Sequence, residues 1–70
     1  MRAVTLANTL KVARAKRGLT QQALAEAVGV TRKTVNTVEN GVFVPSALLA
    51  FRLAEALDMP VTELFYLRRD

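Results

Sequence analysis

The sequence predicts an all-α domain of five short helices. Just over half of its 70 residues are apolar, and good helix formers such as Ala, Leu, Arg and Glu predominate. Ser or Thr, which often cap helix N-termini, precede apolar-patterned segments, and Gly or Pro marks the stops. A chain of this length forms a single domain, so residues 1–70 are expected to fold together.

The caps and stops place each helix in turn. Thr5 is expected to cap a first helix that runs to Arg17, with Leu6, Leu10 and Ala13 recurring at helical spacing. The five predicted segments, caps included, are residues 5–17, 20–28, 31–39, 46–57 and 62–67. Gly18, Gly29 and Gly41 supply left-handed residues after the first three, and Pro60 separates the last two.

The charge of the chain is unevenly distributed. The net charge is +4, but residues 1–33 contain seven Lys and Arg against Glu26 alone, whereas residues 34–70 contain three Arg against five acids. The first half is therefore a candidate surface for a polyanion. The alternative is that these charges only solvate helix faces.

The residue types exclude several classes of function. Without Cys or His, the chain has no disulfides and no zinc-finger ligands, and its six acids form no paired catalytic site. We therefore expect no enzyme activity, no cofactor and no metal. No apolar run is long enough for a membrane span, and the N-terminus lacks a signal peptide, which predicts a cytoplasmic protein.

The predicted helix from Thr31 to Glu39 has two distinct faces. At 100° per residue, Val35 and Val38 share a buried stripe. The opposite side bears only hydrogen-bonding side chains and no acid, namely Arg32, Lys33, Asn36, Thr37 and Asn40. Any amphipathic surface helix has a polar side, but here a two-turn helix and a glycine turn precede it, an arrangement that projects the second helix outwards for insertion into a DNA groove.

These residues resemble the Cro and phage-repressor (XRE) family of helix-turn-helix regulators. The resemblance runs from Asn8 to Phe65. It rests on the joint spacing of Arg14, Gly18-Leu19-Thr20-Gln21, Leu24-Ala25, Gly29-Val30-Thr31, Val35, Val38-Glu39-Asn40-Gly41 and Pro45-Ser46. It implies a five-helix, lambda-repressor-like fold whose second and third helices read DNA.

The resemblance also implies roles for individual residues. Base contacts fall on Arg32, Lys33, Asn36 and Thr37, and phosphate contacts on Gln21 and Asn40. Lys16 and Arg17 are further phosphate candidates because of their charge. Arg14 is expected to form a structural ion pair with Glu39, and contact with phosphate is a secondary possibility for it.

Specificity for a double-stranded operator usually requires two domains, so a homodimer is expected. Almost every residue from Ala47 to Leu57 is apolar, which suggests a dimer surface of Leu48, Leu49, Phe65, Tyr66 and Leu67. The alternative is that these segments pack within one chain.

Three interpretations are open for Phe43: its side chain packs under the helix-turn-helix unit, contacts DNA sugars, or contacts a partner. The expected function is transcriptional regulation by repression, and the rival is an antitoxin or adaptor module on the same fold.

Overall fold

The computed structural model describes residues 3–69, which form five helices and a two-stranded sheet. In chain order these elements are β1 (Val4–Asn8), α1 (Leu10–Lys16), α2 (Gln21–Val28), α3 (Arg32–Glu39), α4 (Ala47–Ala56), α5 (Val61–Leu64) and β2 (Phe65–Arg69). The five predicted helices are present. The description all-α is nevertheless only approximate, because the first and last predicted helices are shorter than expected and the freed residues form strands.

The N-terminal correction concerns Thr5 and Leu6, which lie in β1 and not in a helix. The first helix begins at Leu10, with Thr9 at the N-cap position and no hydrogen bond from the Thr9 side chain to the helix. The Leu10 N–H donates instead to Asn8 Oδ1 at 3.0 Å, so Asn8, and not Thr5, satisfies a backbone donor at the helix start. The β-branched Val4 and Thr5 favour an extended chain. A strand therefore replaces the first turn of the predicted helix.

The C-terminal correction concerns Phe65, Tyr66 and Leu67, which were predicted to be helical and instead begin β2. β2 pairs antiparallel with β1, with Asn8 opposite Phe65, Leu6 opposite Leu67, and Val4 opposite Arg69. Aromatic residues suit strands, and a lone two-stranded hairpin is marginal in water. Burial of Ala7 and Phe65 against the helices stabilises this pair, which we call the β-ribbon.

The three central helix starts are confirmed at the predicted caps. Thr20 Oγ1 accepts from Ala23 N at 2.9 Å, Thr31 Oγ1 from Thr34 N at 3.2 Å, and Ser46 Oγ from Leu49 N at 3.1 Å, which are the bonds expected of side-chain caps at helix N-termini. Each bond satisfies a backbone donor that has no partner within its own helix.

The core lies between the helices and draws one or more residues from each. Its most deeply buried side chains are Leu10, Leu24, Val28, Val35, Val38, Leu53, Leu57 and Leu64. Phe65 joins them, and Leu49 packs against the cluster while partly exposed. No helix within residues 3–69 has the length and apolar character needed to cross a membrane.

Candidate nucleic-acid interface

The α2–turn–α3 unit is held together by local backbone geometry and by a small side chain. Gly29 ends α2 in the left-handed conformation, at φ 76°. The Val30 N–H then returns to Ala25 O at 3.0 Å, which closes the turn before Thr31 begins α3. Ala25 is fully buried, as expected of a small residue where two helices approach closely. The unit therefore fixes the direction of α3 relative to α2.

α3 presents its polar side away from the core. Val35 and Val38 are buried, whereas Arg32 and Lys33 are exposed. Asn36 and Thr37 are half-buried, which follows from their positions at the edges of the polar face. The four predicted base-contacting residues thus share one side of α3, and their donors and acceptors match those on base edges in the major groove.

An ion pair joins α1 to the C-terminal end of α3. Arg14 Nε donates to Glu39 Oε2 at 2.6 Å, and Arg14 Nη2 donates to Glu39 Oε1 at 3.3 Å. The Glu39 side chain is only 2% exposed and that of Arg14 15%. The hydrogen bond to Glu39 raises the pKa of the Arg14 guanidinium above its ordinary value. A further bond from Arg14 Nη1 to Leu19 O at 2.8 Å occupies the guanidinium, which suits a structural role.

A chain of side-chain amides continues from this ion pair to the outer side of α3. Gln21 Nε2 donates to Glu39 Oε1 at 3.0 Å, and Gln21 Oε1 accepts from Asn36 Nδ2 at 3.5 Å. Asn40 Nδ2 then donates to Asn36 Oδ1 at 3.2 Å and to Asn36 O at 2.9 Å. Gln21 and Asn40, both predicted phosphate contacts, therefore flank Asn36 and limit its rotation.

Lys16 and Arg17 lie apart from this arrangement. They line a groove with Leu57, Asp58 and other residues of the α4–α5 connection, and Arg17 Nη2 is 3.6 Å from Asp58 Oδ2. On a helix, Lys16 is about 200° around from Arg14, which faces α3. Their prediction as phosphate contacts rested on charge alone, and the structure does not bring them together with the face of α3.

The predicted dimer residues divide between core and surface. Phe65 is 8% exposed and belongs to the core, and Leu49 packs against it, so these two offer little surface to a second copy. Leu48 is 70% exposed, and Tyr66 and Leu67 are also exposed, in the β-ribbon. The correction for Phe65 follows from its place opposite Asn8, where the ribbon meets the helices.

The loop after α3 is tied back to that helix. The backbone N–H groups of Val42 and Phe43 both donate to Thr37 O, at 2.9 and 3.2 Å. The Phe43 side chain remains exposed. The reading of Phe43 as a residue packed under the motif is therefore not supported, and its side chain is available to a partner or to DNA.

Sequence reasoning missed Asn8, which connects the β-ribbon to α3. Its Nδ2 donates to Val38 O at 2.9 Å, while its Oδ1 accepts from Leu10 N. The available signal was an Asn two residues before an apolar helical pattern, a common position for a residue that bonds to the following backbone. One side chain thus sets both the start of α1 and the distance of the ribbon from α3.

Comparison with known proteins agrees with this geometry. The helix-turn-helix family model matches residues 10–64, which span α1 to α5. The chain therefore belongs to the helix-turn-helix family, in its XRE-type branch of DNA-binding transcriptional regulators, as the resemblance predicted.

Its relatives come from bacteria and archaea. An uncharacterized HTH-type transcriptional regulator of Bacillus subtilis, YgzD, is 43% identical over 63 residues, covering 90% of this chain and 96% of the relative. An uncharacterized HTH-type regulator of Methanothermobacter thermautotrophicus is 48% identical over 54 residues, covering 76% of this chain and 78% of the relative.

Solved structures show the same fold. The restriction-modification controller protein C.AhdI of Aeromonas hydrophila superposes with a TM-score of 0.73 at 37% identity, covering 77% of this chain and 78% of that protein. The transcriptional regulator VanUg superposes over 100% of this chain and 93% of its own, with a TM-score of 0.78. At 17% identity, the second likeness concerns the fold alone.

Proposed function

We propose that this protein binds a specific double-stranded DNA operator in the cytoplasm by inserting α3 into the major groove, and that it represses transcription there. The observation that carries the proposal is the outer face of α3. Arg32 and Lys33 project from its first turn, Asn36 and Thr37 follow on the same side, and that side has no acid. Repression requires only that the bound domain block polymerase. No catalytic step is part of the proposal.

Lys33 and Asn36 make the contacts to base edges that discriminate between DNA sequences. A lysine can donate to the O6 and N7 acceptors of guanine, and an asparagine can pair with N6 and N7 of adenine. Asn36 is held between Gln21 and Asn40, yet each of its amide atoms keeps a further hydrogen-bonding site. It is therefore oriented before DNA arrives, which lowers the entropy lost on binding.

Positioning on the DNA backbone falls to Gln21 and Asn40. They lie at the two ends of the amide chain on either side of Asn36, and they belong to α2 and to the end of α3. Contacts from these residues to phosphates would set the depth and register of α3 without carrying sequence information.

A homodimer is part of the proposed function because one domain reads only a few base pairs. Two copies on half-sites about 34 Å apart would supply the remaining specificity. On α4, Leu48 is 70% and Phe51 62% exposed, and they lie three residues apart on one side of the helix. Sedimentation with and without operator DNA tests the assembly, and a monomer in both cases would refute it.

Selection of bound sequences from a random DNA library, followed by titration of variants, tests the DNA reading. Lys33→Ala and Asn36→Ala should each lose about 1–3 kcal/mol on the selected site and lose discrimination at particular base pairs. Lys16→Ala is the matched control, since it removes one positive charge away from α3 and should change binding little. Equal losses on selected and scrambled DNA for Lys33→Ala and Asn36→Ala would contradict the assignment.

A further inference from the structure

The β-ribbon carries two arginines from the acidic half of the sequence to the end of α3. β2 pairs Arg68 with Thr5 and Arg69 with Val4. The ribbon is fixed in place, since Asn8 Nδ2 bonds to Val38 O at 2.9 Å and Thr9 N bonds to Leu64 O at 2.9 Å. The charge of the β2 end therefore has a defined position relative to the reading helix.

A polar cleft of about 160 Å³ separates the ribbon from the C-terminal end of α3. Its walls are Leu6, Ala7, Asn8, Glu39, Asn40, Gly41 and Arg68. The volume corresponds to about five water molecules at about 30 Å³ each, which is room for one phosphate group and part of its hydration. Asn40, already a candidate phosphate contact, lies in the same wall.

The electrostatics of the cleft favour an anion. Its one acid, Glu39, is 2% exposed, and both carboxylate oxygens are bonded to Arg14 and Gln21. Among residues 3–69 the ion pairs are Arg14–Glu39 and Arg17–Asp58, so Arg68 has no acidic partner in that part of the chain. The guanidinium of Arg68 is thus the uncompensated charge of the cleft, and guanidinium groups bind phosphate well.

We propose that this cleft binds a phosphate of the DNA backbone and that Arg68 is its principal ligand. The inference rests on the proposed insertion of α3 into the major groove, because that insertion brings the backbone to the end of α3. Arg68 then holds the phosphate beside Asn40, whose Nδ2 donates to the same phosphate by releasing one of its two bonds to Asn36. The β-ribbon thereby extends the DNA-binding surface beyond the helix-turn-helix unit. The contact adds affinity for all sequences and no preference among bases.

Two adjacent single-charge variants test the proposal. Neighbouring residues of a strand point to opposite faces, so Arg68→Gln removes the charge at the cleft, whereas Arg69→Gln removes an equal charge on the other face. Binding of the full chain to selected and scrambled DNA is measured from 50 to 200 mM salt. Both residues are exposed, so thermal melting should show both variants folded like the wild type.

Arg68→Gln should weaken binding on the order of tenfold at 50 mM salt on both DNAs. Its salt slope should fall by about 0.9, so that the deficit shrinks about three- to fourfold between 50 and 200 mM. Arg69→Gln should retain the wild-type slope, and Arg68→Lys should recover most of it. Equal deficits for Arg68→Gln and Arg69→Gln, or an unchanged slope for Arg68→Gln, would overturn the proposal.

The same titrations separate this inference from the function on which it rests. If Lys33→Ala loses discrimination while Arg68→Gln binds as the wild type does, the cleft assignment is wrong and the reading of DNA by α3 stands. If the wild type binds no duplex, or Lys33→Ala behaves as the wild type does, the proposed function is wrong and the cleft assignment falls with it.

Discussion

Replacing Arg14 by Met tests how much the Arg14–Glu39 ion pair between α1 and α3 contributes to stability. Methionine retains the aliphatic volume of the arginine stem but removes the donors that face Glu39 at 2.6 and 3.3 Å. The Glu39 carboxylate would keep only the 3.0 Å bond from Gln21 while remaining 2% exposed. Arg14→Met therefore leaves the buried Glu39 carboxylate without its cationic partner and creates no large cavity.

The expected loss of stability is about 3–5 kcal/mol, the range for a buried ion pair that loses one partner. For a domain of this size, that corresponds to a fall in Tm of roughly 12–40 °C. Glu39→Gln should lose less, about 1.5–3 kcal/mol, because Arg14 is 15% exposed and keeps its 2.8 Å bond to Leu19 O. The two single variants should thus differ, with Arg14→Met the less stable.

Urea and thermal denaturation followed by circular dichroism measure these differences. The double variant Arg14→Met with Glu39→Leu is the control, and it should recover most of the stability, because an apolar pair of similar volume has no buried charge to satisfy. The single variant Glu39→Leu completes this cycle. A loss below about 1 kcal/mol for Arg14→Met, or a loss in the double variant as large as the sum for Arg14→Met and Glu39→Leu, would refute the reasoning.

The pH dependence of the stability lost in Arg14→Met follows from the raised pKa of Arg14. A cation whose pKa is higher in the folded state contributes its full stability below its unfolded pKa, and loses it only as pH rises through the folded value. Both values lie above the neutral range. The contribution of the guanidinium is therefore constant between pH 6 and pH 9, and the Arg14→Met deficit should not shrink across that interval.

Substitutions at three further positions test the local structure by the same denaturation measurements. Gly29→Ala should lose about 1–2 kcal/mol because φ is 76°, since the added Cβ would make only ordinary van der Waals contact with Arg52 Nη1 at 3.8 Å and Nη2 at 3.9 Å, and Gly29→Asn should lose less. Ser46→Ala should lose about 1 kcal/mol with its 3.1 Å cap bond to Leu49 N, while Ser46→Asp should retain most of it. Asn8→Asp should keep the start of α1 but lose the bond to Val38 O, and Asn8→Ala should lose both, at about 1–3 kcal/mol. If Gly29→Ala, Ser46→Ala or Asn8→Ala were as stable as the wild type, the backbone conformation or contact assigned to that residue would be contradicted.

The central part of the fold was predictable because its signals are local. Thr20, Thr31 and Ser46 satisfy donors within three residues of themselves, and the cap and its partner lie in one short stretch of sequence. The β-ribbon, in contrast, depends on contacts between residues that are far apart in the sequence. Leu6 fits both a helical and an extended pattern, and the choice is decided by Leu67, which lies at the far end of the chain. The β-branched residues of one segment and the aromatic residues of the other favour an extended chain, but neither segment alone indicates that the two pair.

The candidate site residues likewise include some that the sequence could place and some that it could not. Lys33 and Asn36 could be assigned to one side of α3 because helix geometry and two buried valines fix the orientation. Lys16 and Arg17 were assigned by charge without reference to a face, and the structure groups them with the α4–α5 connection. Charge indicates that a surface attracts DNA, but only orientation indicates which cations belong to that surface.

The Arg14–Glu39 ion pair and the polar side of α3 belong to one network of hydrogen bonds. A carboxylate can only accept hydrogen bonds, so Glu39 requires Gln21 to turn Nε2 towards it, and Gln21 Oε1 is then left to face Asn36. Asn36 must in turn present Nδ2 inwards, which leaves its Oδ1 to accept from Asn40. The charge on Glu39 therefore sets the orientation of an amide that it does not touch. In this fold, the contact that stabilises α3 against α1 also fixes the orientation of the Asn36 amide on the polar side of α3.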